Sequence, residues 1–332
     1  MATTQTLGNI KTTANAADNF IDGKGSATAV ALEAQIFYDK TLLKRLLPNL
    51  LFAQFAEKSS IPKHGGNKVN WRKFNSLSAA TTPLTEGVTP SGNNLTMAQV
   101  QATLHQYGDF IEFSDLVDLV GLDPILTEGA EVLGEQAGLT IDTVMREEYC
   151  KGTNVQYAGG KTATNLVTAT DVINAAEVKK MVRTLKRNNV KPFKGKYYVC
   201  VIDPDMAYDL QNDPDWKEAN MNNHNGQRIY DGEIGELYGV KFIETTNLKV
   251  KNDAGASSAD IHCALCFGKG AFGMADIESQ SAKSPSVIVK PLGSAGSSDP
   301  LNQRQTEGWK TYFAATVLDN LAVVRLECAV TA

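Results

Sequence analysis

The fold class can be inferred from residues 98–152, AQVQATLHQYGDFIEFSDLVDLVGLDPILTEGAEVLGEQAGLTIDTVMREEYCKG, because the spacing of their apolar side chains changes partway along. Up to His105, apolar and polar residues alternate with a period of two, which predicts a strand. After Asp123 and Pro124, apolar residues recur at every third or fourth position, which predicts an amphipathic helix over residues 123–150. Asp accepts hydrogen bonds from the free amides of a helix start and Pro lacks that amide hydrogen, so this pair suits an N-terminus. The sequence therefore predicts a mixed α+β fold.

An extended hairpin is predicted immediately before this helix, over residues 61–109. Its first limb alternates around Val69 and Trp71, a polar stretch with several Gly and Pro residues follows, and the alternating limb described above returns. Two strands alone are marginally stable in water. We therefore expect the hairpin to lie against another surface.

Residues 1–60 are interpreted as an arm followed by a helix. Few large apolar side chains occur before Ala29, so this first segment buries too little surface to become ordered alone. From Ala29 to Ala56, leucines recur at helical spacing and are interrupted by Pro48, which predicts a helix with a bend.

An α/β unit is predicted downstream of the long helix, over residues 169–280. Asp203 and Asp213 each precede a proline and are expected to open short helices. The other elements predicted in the second half of the chain are a helix over 171–188, strands over 197–202, 239–244 and 261–267, a loop rich in Ser, Gly and Pro over 279–300, and a strand-like stretch over 312–330.

The composition indicates a globular protein without strong attraction to polyanions. The chain has 332 residues, and its 32 basic and 37 acidic side chains give a net charge of −5. A general affinity for a phosphate backbone is therefore not expected. The five cysteines are widely spaced, which favours reduced thiols over a disulfide scaffold. The N-terminus lacks a secretory pattern, and charges interrupt the apolar window over residues 42–55, so neither export nor a membrane anchor is expected.

Two short motifs are the best candidates for an enzymatic site. Residues 268–273 contain a G-x-G-x-x-G pattern after a predicted strand, but the residues that follow form a poor helix and no suitable acidic residue occurs about 20 positions later. We interpret this motif as a turn. Cys263 and Cys266 form a C-x-x-C pair beside His262, yet zinc needs four ligands and the sequence offers no second pair. A buried strand that carries small thiols is the preferred interpretation.

Other candidate residues have simpler structural explanations. Gly160, Lys161 and Thr162 resemble the end of a phosphate-binding loop, but they follow a helix rather than a strand. Four aspartates could bind a divalent cation, but helix capping is the preferred explanation for them. The four histidines show no spacing typical of a catalytic triad. We therefore predict no catalytic, cofactor-binding or metal-binding residues. The aspartates in question are Asp203, Asp205, Asp213 and Asp215.

Four stretches of the chain resemble the phage N-four-like family of major capsid proteins, which has the Hong Kong ninety-seven-type fold. The order and spacing of the stretches carry the resemblance, which extends from about Ala29 to Glu327. The stretches are GDFIEFSDLVDLVGLDPILTEGAEVLGEQAG at 108–138, RNNVKPFKGKYYVCVIDPD at 187–205, GEIGELYGVKFIETTN at 232–247 and ALCFGKGAFG at 264–273.

This resemblance implies a division of the chain into parts with different roles in a shell. The extended loop would overlap a neighbouring subunit, and the axial domain would lie near the centre of each group of subunits. The implied parts are an N-terminal arm and helix at 1–60, the extended loop at 61–109, a peripheral domain at 110–168 with a spine helix at 123–150, an axial domain at 169–280, and a return to the peripheral domain at 281–332.

The function implied by the resemblance is structural. Subunits would assemble as hexamers and pentamers, through the arm and the extended loop, into an icosahedral head shell that encloses the genome. Implied partners are portal, scaffolding and decoration proteins and packaged double-stranded DNA, bound without sequence specificity; assembly would occur in the host cytoplasm and the product would be the virion capsid. An encapsulin-type nanocompartment is the alternative with the same fold. A metal- or nucleotide-dependent enzyme that uses Cys263 with Cys266, or residues 268–273, is the alternative from another class.

Overall fold

The protein is seen in a computed structural model that describes residues 51–62, 64–75, 77–120, 125–193, 196–222, 233–277, 286–294 and 299–331. Its helices are α1 (Phe52–Phe55), α2 (Asp115–Val120), α3 (Ile125–Tyr149), α4 (Ala175–Arg187), α5 (Pro204–Asn212) and α6 (Pro214–Asn222). Its strands are β1 (Glu57–Ile61), β2 (Lys68–Phe74), β3 (Met97–Thr103), β4 (His105–Ser114), β5 (Val155–Tyr157), β6 (Tyr198–Ile202), β7 (Glu233–Leu237), β8 (Val240–Glu244), β9 (Val250–Lys251), β10 (Ile261–Phe267), β11 (Phe272–Ile277), β12 (Ser286–Lys290), β13 (Arg304–Val317) and β14 (Val323–Cys328).

The described residues divide into two compact units. One contains residues 106–139 and 283–311, and the other contains residues 50–105, 140–282 and 312–332. Within the described residues, the chain passes between them at the start of strand β4, within helix α3 and within strand β13. We call them the smaller unit and the larger unit.

A seven-stranded sheet forms the centre of the larger unit. Its strands follow the order β5-β14-β10-β6-β8-β7, and β9 pairs with β10 beside this path. Every side chain of β6 and of β10 is buried, as expected for strands covered on both faces. Because β14 comes last in the sequence and lies between β5 and β10, the sheet joins distant parts of the chain.

Helix α4 packs its apolar face in the larger unit, but it begins later than predicted. The side chain of Asn174 accepts a hydrogen bond from the Glu177 amide at 3.0 Å and caps the helix, so α4 starts at Ala175. Asp171, the predicted start, instead accepts a hydrogen bond from the Thr168 amide at 2.8 Å in a turn. The sequence pattern placed this boundary four residues too early because Val172 fits the apolar spacing of the helix.

Within the hairpin predicted over residues 61–109, strands β2 and β3 pair with each other in the larger unit, whereas β4, which begins at His105, pairs with β13. Strand β2 pairs with β3 in antiparallel register from Lys68 opposite Thr103 to Phe74 opposite Met97. At its base, inward-facing side chains join a small core with strands β1, β11 and the end of β13. The buried members of this core are Ile61, Val69, Ala102, Ala275 and Ala314.

The smaller unit contains β4, β12, the beginning of β13 and the first part of α3. Trp309 packs against Leu133 and Ala137 of the helix, and its indole Nε1 donates to Gln136 at 3.2 Å. Strand β12 was missed by the sequence analysis, which predicted only a loop over 279–300. Its short apolar run pairs with β13, and a run of this length between Ser- and Gly-rich segments gives a weak signal.

The C-terminal part of the chain forms two strands rather than one strand-like stretch. Strand β13 starts at Arg304, earlier than the predicted boundary at 312, and β14 follows after a turn. The predicted arm, the bent helix before residue 51 and the Asp123–Pro124 helix start all lie outside the described residues. No helix in the described ranges has both the length and the apolar character needed to cross a membrane.

Candidate functional site

The tip of the hairpin exposes apolar side chains without a core of its own. Between β2 and β3, the described backbone hydrogen bonds are local, such as Asn75 to Thr96 at 3.0 Å and Val88 to Thr85 at 3.2 Å. Large apolar side chains along this segment nevertheless face solvent, and Leu84 is 77% exposed. Exposed apolar surface of this kind is typical of protein–protein contact sites. The others are Leu77, Val88 and Leu95, together with Phe74 and Met97 at the adjoining ends of β2 and β3.

The base of the hairpin is held firmly, in contrast to the tip. Trp71 and Leu104 pack on the small core described above, and the ammonium group of Lys73 contacts the carboxylate of Asp319 in the turn before β14. The hairpin is thus anchored at its base, whereas apolar side chains between Asn75 and Thr96 are open to solvent. Alternation alone could predict the pairing of the strands, but not this ion pair, because its partners are 246 positions apart.

The smaller unit exposes a second group of apolar side chains. Phe110 on β4 is 63% exposed and Leu119 on α2 is 80% exposed. Ile288 and Val289 on β12 are also open to solvent. Sequence analysis missed the last two residues because it did not predict their strand.

The glycine motif at residues 268–273 forms a turn between two strands, as predicted. Strand β11 follows where a dinucleotide site would require a helix. Gly270 has a φ of 79°, and a Cβ atom at Gly268 would lie 2.8 Å from the Lys191 carbonyl oxygen. A left-handed backbone and close packing therefore explain the glycines.

The cysteine pair is divided between the two faces of β10. Cys266 lies opposite Cys200 on β6, whereas Cys263 points to the other side of the sheet. All five cysteines are buried free thiols, and burial raises the pKa of Cys263 to about 12. A thiol with such a pKa is a poor nucleophile and a poor metal ligand at neutral pH.

The four candidate aspartates lie at two separate positions. Asp203 caps α5 by accepting from the Met206 amide at 2.8 Å, as predicted. Asp213 accepts from the amides of Asp215 and Ala175, both at 2.8 Å, and so ties the start of α6 to the start of α4. Capping therefore accounts for both Asp-Pro sequences.

Asp203 also contacts a buried histidine that sequence analysis did not connect with it. The second carboxylate oxygen of Asp203 faces Nδ1 of His262 on β10. Asp205 lies close by. The possible ligand atoms of these three side chains all lie within 4.8 Å of one another, so among the described residues they form a group that could hold a metal ion. Burial lowers the pKa of His262, but Asp203, with Asp205 and Asp260, raises it overall. The contact between the His262 ring and the Asp203 carboxylate therefore joins β10 to the start of α5.

A second buried carboxylate holds the first described residues against helix α3. Asp142 accepts hydrogen bonds from the Leu51 and Phe52 amides, each at 3.1 Å, and from Nδ2 of Asn247 at 3.1 Å. Burial raises the pKa of Asp142, and these hydrogen bonds partly oppose that effect. The carboxylate therefore holds the start of α1 against helix α3.

Comparison with known families places these features in one class of protein. A family model described as phage capsid protein matches residues 97–326, which is more than half of the chain. The protein belongs to this phage capsid protein family. No curated protein matches the chain by sequence.

Solved structures that resemble the chain are also phage capsids. The capsid of Ralstonia phage GP4 has a TM-score of 0.69 at 14% identity, covering 90% of this chain and 96% of that one. The Helicobacter pylori bacteriophage KHP30 capsid has a TM-score of 0.67 at 12% identity, covering 90% and 96%. The Cyanophage Pam1 capsid has a TM-score of 0.66 at 16% identity, covering 90% and 99%. These matches confirm the predicted α+β capsid fold of the Hong Kong ninety-seven type.

Proposed function

We propose that this capsid protein is the major shell subunit of a tailed phage head, which assembles as hexamers and pentamers around double-stranded DNA. The observation that carries the proposal is the hairpin between Asn75 and Thr96, whose apolar side chains are exposed although its base is anchored. A second subunit would cover these side chains, and burial of apolar surface would stabilise the contact.

The proposed assembly also assigns roles to the parts of the chain. Residues 61–109 would overlap a neighbour, residues 110–168 and 281–332 would form the peripheral domain, and residues 169–280 would form the axial domain. Many modest contacts repeated in closed symmetry give a shell that is stable as a whole. Portal, scaffolding and decoration proteins would complete the head, assembly would occur in the host cytoplasm, and the shell would become the virion capsid.

The alternatives lack comparable support. The solved structures named above are phage capsids rather than nanocompartments. The two segments on which an enzyme would depend form a turn and a buried strand. A structural role is therefore preferred to a catalytic one.

Negative-stain electron microscopy of the purified protein tests the proposal directly. Across a series of salt and protein concentrations we expect hollow shells, tubes or rings of subunits. A protein that stays monomeric under all these conditions, also when it is co-expressed with its scaffolding protein, would contradict the proposal.

A further inference from the structure

A basic cavity of about 370 Å³ lies in the larger unit, at the C-terminal end of helix α4. Arg183 and Arg187, one helical turn apart, form one wall, and the opposite wall comes from the segments around Thr153 and Asn320. The Thr153 amide donates to Oδ1 of Asn320 at 3.2 Å, which joins the two segments of the second wall. We call this cavity the arginine pocket.

The walls of the arginine pocket are fixed by hydrogen bonds between elements. Nδ2 of Asn188, at the end of α4, donates to the Leu321 carbonyl at 3.1 Å, and Nδ2 of Asn154 donates to the Val323 carbonyl at 2.9 Å. These contacts hold α4 against the turn before β14 and the chain before β5. The pocket therefore exists before a ligand arrives.

The charge of the pocket is not balanced within the described part of the chain. Two other cations on α4 have partners, since Lys179 pairs with Asp215 and Lys180 with Glu177. No ion pair involves Arg183 or Arg187 among the described residues, and the residues that line the pocket include no Asp or Glu. Two like charges one turn apart repel each other, so an anion between them would be favourable.

The donor groups of the pocket suit an oxyanion. A guanidinium group offers paired N–H donors in a plane, and this geometry matches the two oxygens of a carboxylate. Asn188 and Thr153 add polar atoms at the rim. The volume is sufficient for a complete acidic side chain rather than a single ion.

An acidic surface lies at the opposite end of the same sheet. Asp205, Asp253 and Asp260 are exposed there, and Oδ1 of Asp260 accepts from the Asp253 amide at 2.9 Å. Strand β10 runs from this end to the pocket, because His262 lies opposite Cys328 and Phe267 lies opposite Val323. At about 3.4 Å per residue, the two ends are roughly 20 Å apart. We call these three aspartates the acidic end.

We infer that the arginine pocket binds a carboxylate of the acidic end of a second copy of the chain. Within one copy the separation prevents this contact, so the complementary charges can meet only between copies. Such a contact joins different surfaces of the two partners and can be repeated around a ring. The charge of −5 makes copies repel one another, and the pocket supplies local attraction. The inference rests on the proposed function, because it needs a self-assembling chain.

A double-mutant cycle tests this contact. Sedimentation equilibrium would measure self-association of the full chain at low salt for wild type, for Arg183→Gln with Arg187→Gln, for Asp205→Asn with Asp253→Asn, and for all four changes together. We expect each pair to weaken association at least about tenfold, and the fourfold variant to lose little more than either pair. Lys186→Gln with Lys191→Gln is the matched control, since it removes the same charge beside the pocket.

The outcomes separate this inference from the proposed function. Equal association of the arginine variant and the lysine control would overturn the inference, and so would additive losses in the fourfold variant. In either case, shells formed by the wild type would leave the proposed function intact. A wild type that neither associates nor forms shells would contradict both.

Discussion

The contact between His262 and Asp203 gives the stability of the subunit a defined pH dependence. The pKa of His262 is raised in the folded chain, so folding favours the protonated imidazole. This contribution is complete below the unfolded pKa of about 6.5 and is lost as pH rises through the raised, folded pKa. The free energy of unfolding should therefore fall as pH rises through that range, because the charged form of the hydrogen bond to Asp203 is lost.

Urea unfolding of wild type and of His262→Gln at several pH values would measure this contribution. Glutamine keeps a donor for Asp203 but does not titrate, so the difference between the two proteins should be largest in mildly acidic solution and shrink at alkaline pH. A difference that stays constant with pH would show that the histidine is neutral in the folded chain.

The sequence predicts the roles of some single residues but not of others. The caps at Asp203 and Asp213 were predictable because a cap and its amide lie within three positions. The partners of Asp142 could not be predicted, since Leu51 is 91 positions away. The same applies to His262, which is 59 positions from Asp203. Local chemistry is thus visible in a sequence, whereas contacts made by the tertiary fold are not.

Helix α3 offers a comparison between two glycines within one element. Gly134 has open space around a built Cβ atom, whereas a Cβ at Gly129 would lie 2.8 Å from the ring of Phe113. Gly134→Ala should stabilise the subunit by up to about 1 kcal/mol through helix propensity. Gly129→Ala should gain the same propensity but destabilise the subunit overall, because the phenyl ring has to move. Thermal unfolding of both variants would test this, and equal shifts in melting temperature would contradict it.

The hairpin gives a prediction about a whole element. Replacing residues 78–93 by a short Gly-Ser turn should leave the subunit folded, because this tip has only local hydrogen bonds. Shell formation should nevertheless be lost, since the exposed apolar side chains would no longer reach a neighbour. Circular dichroism would report folding, and electron microscopy would report shells.

A milder pair of variants serves as control for this deletion. Leu84→Ser with Val88→Ser removes apolar surface from the tip, while Ala79→Ser with Thr81→Ser changes the same loop without removing a large side chain. Only the first pair should impair assembly. Normal shells from the shortened chain would show that the tip makes no contact between subunits.

Elements with a clear apolar pattern, whether periodic or a continuous buried run, were predicted well, and those without such a pattern were not. The strand predicted over 261–267 has those bounds in the structure, and α3 follows its apolar pattern to Tyr149. Strand β12 was missed because its short apolar run lies between segments rich in Ser and Gly, which weaken the signal of a strand. The exposed hairpin tip was predicted only as a segment without a core. Only the structure shows which apolar side chains of the tip face solvent.

Across the whole molecule, the burial of every cysteine predicts unreactive thiols. Burial raises the pKa of Cys150 to about 11 and that of Cys263 to about 12, and it also raises the pKa of Cys328. The native protein should therefore react with a thiol-specific dye far more slowly than the unfolded protein, which should titrate all five thiols. Fast labelling of even one thiol in the native subunit would contradict the packing described for β6, β10 and β14 or the burial of Cys150 after α3.

The position of β14 in the middle of its sheet has a consequence for protein synthesis. Strands β5 and β10 leave the ribosome before β14, yet both depend on β14 for hydrogen-bond partners. The sheet of the larger unit can therefore close only after residues 323–328 have been translated. At roughly 5–20 residues per second, the interval between β5 and β14 lasts on the order of ten seconds or more. A nascent chain thus carries unpaired strand edges during this time and would benefit from chaperones that shield them.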